Sequence, residues 1–435
     1  MQRTDNRMAQ SRLPGVNVIG HITASMGLAV AARNTLAMLL SRGVPVEGVD
    51  IDPGGGRQGT DLTYECVLQT PPCAPHAVNL FHLNPPEVLA QVNRRPAWLD
   101  LVGRVNAIVP FWELPRLPVV NHWVAVAEMM DLVLAPSRFI ADAVQASAPA
   151  ANVVHYPQAV LLPADVVPSR SAFGLPHDRV LFYLSVDVTS DLMRKNPADA
   201  LRAFRAAFEP TDPVGLVVKL NHAHTEHAWA NSGPLLAELQ SLPNTYVIDR
   251  SLSYPEVLAL CASCDVFVSL HRSEGLGLNL LEAMALGKPV LATGWSGNMD
   301  FMTAENSCLV GHDLVPVVAN HPAYQPAAIG PGQVWAEPNV TEAVGWMQGL
   351  AGDAMLRTNK GAQARASMEA GQRRFLEGGM MADLAAAVDH LAIRPDRAVR
   401  TKRWRGYQRM PLGMRAQRWR RRLARTLGFS SSPDA

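Results

Sequence analysis

The sequence predicts an α/β protein made of two doubly wound, Rossmann-like units in tandem that face each other across a cleft. Three observations carry the prediction. Short apolar runs of strand length alternate with helix-period segments. A proline-rich stretch interrupts the alternation once, after which it restarts. At 435 residues, 48% of them hydrophobic, the chain is too long for one core and has apolar residues for two.

Residues 1–13, MQRTDNRMAQSRL, are polar and basic and are predicted to form a flexible N-terminus; without an apolar centre they do not read as a secretory signal. The first unit is placed at residues 14–170. Its runs GVNVIGHI, AVNLFHLN, RVNAIVPFWE and DLVLAPS read as buried parallel strands bounded by Gly, Pro or polar residues. Between them GLAVAARNTLAMLLSRG puts Leu28, Ala32, Leu36, Leu39 and Leu40 on one helical face, with Gly43 to cap the end. Residues 163–178, PADVVPSRSAFGLPHD, carry three prolines and no period and mark a linker. The second unit, residues 171–375, resumes with VLFYLSVDV, GLVVKLNH, TYVIDRS, DVFVSLHRS and KPVLATG. A closing helix at 376–393 and a basic tail at 394–435 complete the chain, and no solenoid repeat is visible.

Composition excludes several classes. No apolar stretch reaches the roughly 20 residues that span a bilayer. The five cysteines, Cys66, Cys73, Cys261, Cys264 and Cys308, are too few and scattered for a disulfide framework. A cytoplasmic protein is expected. The net charge of +1 hides an asymmetry: residues 394–435 hold thirteen Lys and Arg against Asp396 and Asp434, or +11, leaving 1 − 11 = −10 for the remainder.

Doubly wound sheets bind ligands beyond the carboxyl ends of their strands, so the cleft is the expected site. The most informative text is HRSEGLGLNLLEAMALGKPVLATG, residues 271–294. The strand DVFVSL delivers His271, Arg272, Ser273 and Glu274 to its carboxyl end. Gly275 and Gly277 then permit a tight turn, and LNLLEAMALG reads as a helix whose free N–H groups and dipole suit a phosphate or pyrophosphate. Glu274 precedes that helix and Glu282 lies about one turn inside it. They are too far apart for a carboxylate dyad but placed to accept hydrogen bonds from two ends of one ligand, a layout that a nucleotide sugar has. The alternative is two solvated helix-start carboxylates.

This text, SEGLGLNLLEAMALGKPVLAT, resembles the retaining GT-B glycosyltransferases, specifically glycosyltransferase family 4. Glu274 and Glu282 stand in the family's E-x7-E positions. The resemblance implies that Glu274 contacts donor-sugar hydroxyls, that Glu282 contacts the nucleotide ribose, and that the backbone from Gly275 through Leu276 and Gly277 to Leu278 binds the diphosphate. A second match, MRKNPADALRAFRAAF, puts Arg194 and Lys195 at the family's basic diphosphate position; Thr189 and Ser190 stand where many members carry a further Arg. Cations there would offset the charge that grows on a departing nucleoside diphosphate. Basic residues at an ordinary helix start are disfavoured by the dipole, which favours the ligand-binding reading. The scheme requires no metal and no cofactor, and no suitable D-x-D is present.

In WSGNMDFM, Ser296, Gly297, Asn298 and Asp300 either bind sugar hydroxyls or form an ordinary turn. WAEP, residues 335–338, is similar to text in bacterial relatives and is assigned no chemistry. In the first unit GHITASMGLAVAARN frames a loop between Gly20 and Gly27, which in the family approaches the acceptor or the donor phosphate; it lacks a full G-x-G-x-x-G and the acidic partner of a dinucleotide site. His82 and Glu113 end strands of that unit and are catalytic-site candidates for contact with the sugar or the acceptor hydroxyl. His82 is otherwise a core histidine. The family's catalytic-site histidine has no match in Trp112, Glu113, Leu114 and Pro115. His122 reads as a helix-start residue. Cys261-x-x-Cys264 has no second pair, so it reads as packing rather than zinc.

The resulting expectation is a hexosyltransferase using a nucleotide-sugar donor and a glycan or lipid-linked glycan acceptor. A nucleotide-sugar epimerase of the same fold and a non-catalytic sugar-binding module are the alternatives. In the tail, Trp419, Leu423 and Leu427 recur at helical spacing among Arg418, Arg421, Arg422 and Arg425. An anionic membrane surface is the expected partner; a nucleic acid, not expected for this protein, and a solvated tail compete with it.

Overall fold

The two series of apolar runs fold into two six-stranded parallel sheets. The computed structural model of the chain describes residues 15–377, except 55–58, 60, 103 and 222–228, together with Ala385 and Lys402. The basic tail, Lys402 apart, and most of the expected closing helix therefore lie outside the described residues.

The first sheet holds β1 (Val16–Gly20), β2 (Val46–Asp50), β3 (Val78–His82), β4 (Val105–Ile108), β5 (Leu132–Ala135) and β6 (Val153–His155) in the order β2-β1-β3-β4-β5-β6. Helices α1 (Gly27–Ser41), α2 (Pro85–Arg94), α3 (Trp123–Met129) and α4 (Arg138–Ser147) alternate with them. Three of the strands begin Val-Asn, and the register sets Asn17 beside Asn79 and Asn79 beside Asn106. Asn17 Nδ2 donates to Asn79 Oδ1 and Asn79 Nδ2 to Asn106 Oδ1, each at 3.0 Å. A fully buried amide ladder thus runs across β1, β3 and β4, and a slip of register would orphan it.

The second sheet holds β7 (Val180–Asp187), β8 (Val214–Asn221), β9 (Thr245–Ile248), β10 (Val266–Ser269), β11 (Val290–Thr293) and β12 (Cys308–Val310) in the order β12-β11-β10-β7-β8-β9. An antiparallel hairpin follows, β13 (His312–Pro316) with β14 (Val334–Pro338). The helices of this half are α5 (Leu192–Lys195), α6 (Pro197–Ala207), α7 (Trp229–Ser241), α8 (Tyr254–Ser263), α9 (Leu278–Ala285), α10 (Pro326–Ile329), α11 (Val340–Gly352) and α12 (Ala354–Glu377). The strand order reverses between β1 and β3 in one sheet and between β7 and β10 in the other, and at such switch points loops diverge to leave a crevice. Phe375 at the end of α12 and Ala385 lie in the first unit's core, with Phe375 6.3 Å from the Tyr156 ring. The chain therefore returns to its first unit after building the second. Among the described residues no helix is long and apolar enough to cross a membrane.

Candidate active site

The carboxyl ends of both sheets open on one cleft of about 820 Å³, lined by Gly27, Glu113, Arg194, Lys195, Glu274 and Glu282 among others. The turn before α9 is clamped between the units. Ser137 Oγ donates to the Gly275 carbonyl at 2.5 Å, and Ser273 Oγ donates to the Glu113 carbonyl. A Cβ on Gly275 would stand 2.7 Å from the Trp112 carbonyl oxygen, and one on Gly297 only 1.9 Å from that of Gly275, so neither position accepts a side chain. Gly277 has φ 87°, in the range that favours glycine. Ser296 holds φ 78° without that freedom, and its Oγ accepts the Glu274 N–H at 2.9 Å.

Ser137 and Asn339 cap α4 and α11 with their side chains, whereas α1 and α9 start without a side-chain cap. Leu280 and Leu281 donate to the Gly277 carbonyl, and Ala29 and Val30 to that of Met26. The amides of Gly27, Leu28, Leu278 and Asn279 therefore have no acceptor among the described residues, and all four line the cleft. The two helix starts nearly touch, since a Cβ on Gly27 would lie 3.7 Å from Leu278 Cδ2. Two positive dipole ends thus converge on one space, an arrangement that attracts an anion. Leu276, which also lines the cleft, packs against Val160 and Leu281.

Beside these helix starts lies a charged group brought together because β7 and β10 are neighbours. Lys195 Nζ is 2.5 Å from Glu274 Oε1, and Arg194 Nη1 is 3.4 Å from Glu274 Oε2. Arg194, only 5% exposed, also donates to the Ser273 carbonyl and to Ser190 Oγ, and its Nη2 lies 3.7 Å from Glu113 Oε1. Burial alone would raise the pKa of Glu274, but Lys195 and Arg194 outweigh it and hold the carboxyl at about 2. Glu282 is the opposite case. It is 7% exposed, and burial pushes its carboxyl up to about 7 even though Tyr254 donates to Oε1 at 3.0 Å and Arg33 lies nearby. Neither glutamate is a solvated helix-start residue.

Other expected site residues fare differently. Glu113 lines the cleft, where Oε2 accepts the Tyr324 hydroxyl at 2.8 Å. His82 is not on the cleft wall: β3 is buried on both faces, so its last side chain lies in the first unit's interior, where burial holds the imidazole neutral with a pKa down to about 3. Asn298 is also off the cleft wall. Its Nδ2 donates to the Thr293 carbonyl at 3.0 Å and its Oδ1 meets His271 Nε2 at 3.2 Å, so it braces the turn instead. Asp300 accepts from the Arg138 amide and pairs with His155, joining the two units. The turn reading of WSGNMDFM thus describes its polar side chains. His122 precedes α3 as expected, and Cys261 and Cys264 are buried free thiols. Among the described residues no group of three or more His, Cys, Asp or Glu is arranged to hold a metal ion.

Among the cleft residues that escaped the sequence reading are Arg33, Asp61, Tyr254 and Tyr324. Arg33 pairs with Asp61 at 3.1 Å and lies over the Tyr254 ring. Tyr254 had a signal in the text, because SYPE is a capping box at the carboxyl edge of a strand, with the Ser253 amide bonded to Glu256. Tyr324 had none.

Known proteins can be set against this geometry. The family model described as "Glycosyl transferases group 1" matches residues 234–312, which include Glu274, the glycine turn and Glu282. No curated protein sequence matches the chain. The trehalose-6-phosphate synthase OtsA is similar in structure at 12% identity and a TM-score of 0.58, covering 85% of this chain and 98% of its own. The Anabaena protein HepE, solved with UDP and glucose, is similar at 14% identity and a TM-score of 0.53, covering 86% of this chain and 100% of its own. TarM matches at 12% identity and a TM-score of 0.48 over 70% of this chain and 54% of its own, so the chain spans about half the length of TarM. The chain is thus an α/β protein with the fold of the GT-B glycosyltransferases, and its residues 234–312 match the glycosyl transferases group 1 model.

Proposed function

We propose that the protein is a retaining hexosyltransferase of glycosyltransferase family 4, which moves a hexose from a nucleoside-diphosphate sugar to a hydroxyl of a glycan or lipid-linked glycan. The observation that carries this reading is the meeting of two uncapped helix starts in one cleft beside the Lys195, Arg194 and Glu274 group. The open amides and the two cations suit a diphosphate whose charge grows as the glycosidic bond breaks. Glu274, ionised, accepts hydrogen bonds from hydroxyls of the sugar, and Glu282 from those of the ribose. The acceptor oxygen attacks the face that the diphosphate leaves: the bond from the anomeric carbon to the diphosphate oxygen breaks, the bond to the acceptor oxygen forms, and the acceptor proton passes to the departing diphosphate. No protein nucleophile takes part.

HepE has been solved with UDP-glucose, which makes UDP-sugars the first donors to test. The experiment is a titration of the full-length chain with UDP-, GDP- and ADP-sugars, following binding and release of the nucleoside diphosphate. At least one should bind and be slowly hydrolysed without an acceptor. Failure of every donor to bind or react would reject the reading.

A further inference from the structure

Residues 312–338 belong by sequence to the second unit yet pack on the first. The Ala336 amide donates to the Arg272 carbonyl, which anchors β14 to the second unit. Beyond that anchor Tyr324, Ile329 and Trp335 enter the apolar cluster of Trp112, Trp123 and Ile140. The Val119 amide donates to the Ala328 carbonyl at 2.9 Å, and Gln333 Nε2 to that of Arg116 at 2.8 Å. The segment is a strap across the interface that reaches the cleft through His321, Ala323 and Tyr324. The Tyr324 ring, 6% exposed, stacks on Trp112 at 5.5 Å and 18°, and the Arg194 guanidinium carbon lies 5.8 Å from its centroid.

We infer that Tyr324 is a positioning residue for the proposed transfer: its hydroxyl, donating to Glu113 Oε2, holds that carboxylate at the reacting end of the cleft and off Arg194. At 3.7 Å, Glu113 and Arg194 stop short of a close ion pair. Without the phenol, the carboxylate has one strong partner left and closes onto the guanidinium, where it no longer meets a substrate hydroxyl. The strap thereby makes the readiness of Glu113 depend on the two units being docked.

The inference rests on the transferase reading, so its test separates the two. Full-length wild type, Tyr324→Phe, Glu113→Gln and the double variant are assayed with whichever of the UDP-, GDP- and ADP-sugars the wild type turns over fastest, and binding of the matching nucleoside diphosphate is measured by calorimetry. Tyr324→Phe keeps the ring and the stacking. It should lower kcat about tenfold, the scale of a lost hydrogen bond to a charged group, and leave nucleoside-diphosphate affinity unchanged. Glu113→Gln should lower kcat similarly, and the double variant should be no slower than Glu113→Gln alone, since one residue acts through the other. A wild-type kcat in Tyr324→Phe, losses that multiply in the double variant, or an equal loss of nucleotide affinity would each overturn the inference while leaving the transferase reading intact. A wild type that turns over no sugar would overturn both.

Discussion

Glu274 and Glu282 are eight positions apart on one strand-turn-helix unit, yet their surroundings drive them in opposite directions. Glu274 is held at about 2 by adjacent cations, so it contributes stability above the ordinary carboxylate range that is lost as pH falls toward 2. Glu282, raised to about 7 by burial, contributes stability that is present at acid pH and lost as pH rises through 7, because the folded state then has to ionise a buried carboxyl. Glu282→Gln removes that second dependence. Denaturant unfolding should show the variant gaining on wild type between pH 5 and pH 8, by on the order of 2 kcal/mol. Nucleotide affinity should move the other way. If ionised Glu282 accepts the ribose hydroxyls, wild-type affinity for UDP rises over the same interval and the variant's stays flat. Parallel profiles would detach Glu282 from both effects. The two acids were legible as a pair from spacing and from the glycine turn between them. Their opposite electrostatics were not, because the partners Lys195, Arg33 and Tyr254 come from other elements.

At the scale of elements, the longer runs of strand were legible because both their faces are covered and the text is continuously apolar. β2, β6 and β12 escaped, and all three are sheet edges of only three to five residues. The hairpin of β13 and β14 was missed for a different reason. Proline-rich text separates its strands and reads as loop, while its apolar residues belong to the core of the other unit. Asn298 shows the limit of reading polar residues in a turn: a side chain in glycine-rich text serves a ligand or the turn itself, and only the backbone path decides. The Val-Asn starts of β1, β3 and β4 are visible in the text, but their meaning needs the strand order. That order sets Asn79 at the centre of the ladder, where its loss unpairs Asn106 Oδ1 and removes the donor to the Asp100 carbonyl. Asn79→Ala should therefore destabilise the chain by about 2 kcal/mol, the cost of orphaned buried polar groups. Urea denaturation would read this as a lower midpoint with an unchanged slope, and an unshifted midpoint would mean that the ladder sets register without adding stability.

For the whole molecule, the tandem organisation was legible from one proline-rich interruption, but the ties across the interface were not. Asp300 on His155, Ser137 on Gly275 and the Tyr324 strap all join residues more than 130 positions apart, or join short polar motifs with no pattern of their own. The tail presents the reverse situation, since its composition is its whole message. Thirteen Lys and Arg within residues 394–425, with Trp404 and Trp419, give residues 394–435 a charge of +11 on a remainder of −10. Near an anionic lipid surface each basic side chain is attracted by about 1 kcal/mol, before screening. A cleft that takes a lipid-linked acceptor would gain from that attraction, because the acceptor is confined to the same plane. Cosedimentation with liposomes checks the idea, comparing the full chain with a variant ending at Ala392. The full chain should pellet with vesicles that contain anionic lipid and progressively less as salt rises, since surface charges are screened within about 10 Å at 0.1 M. The truncated chain should remain in the supernatant. Equal pelleting of the two, or binding of the full chain to neutral vesicles alone, would assign the tail to a partner other than the membrane and leave the cleft to meet its acceptor in solution.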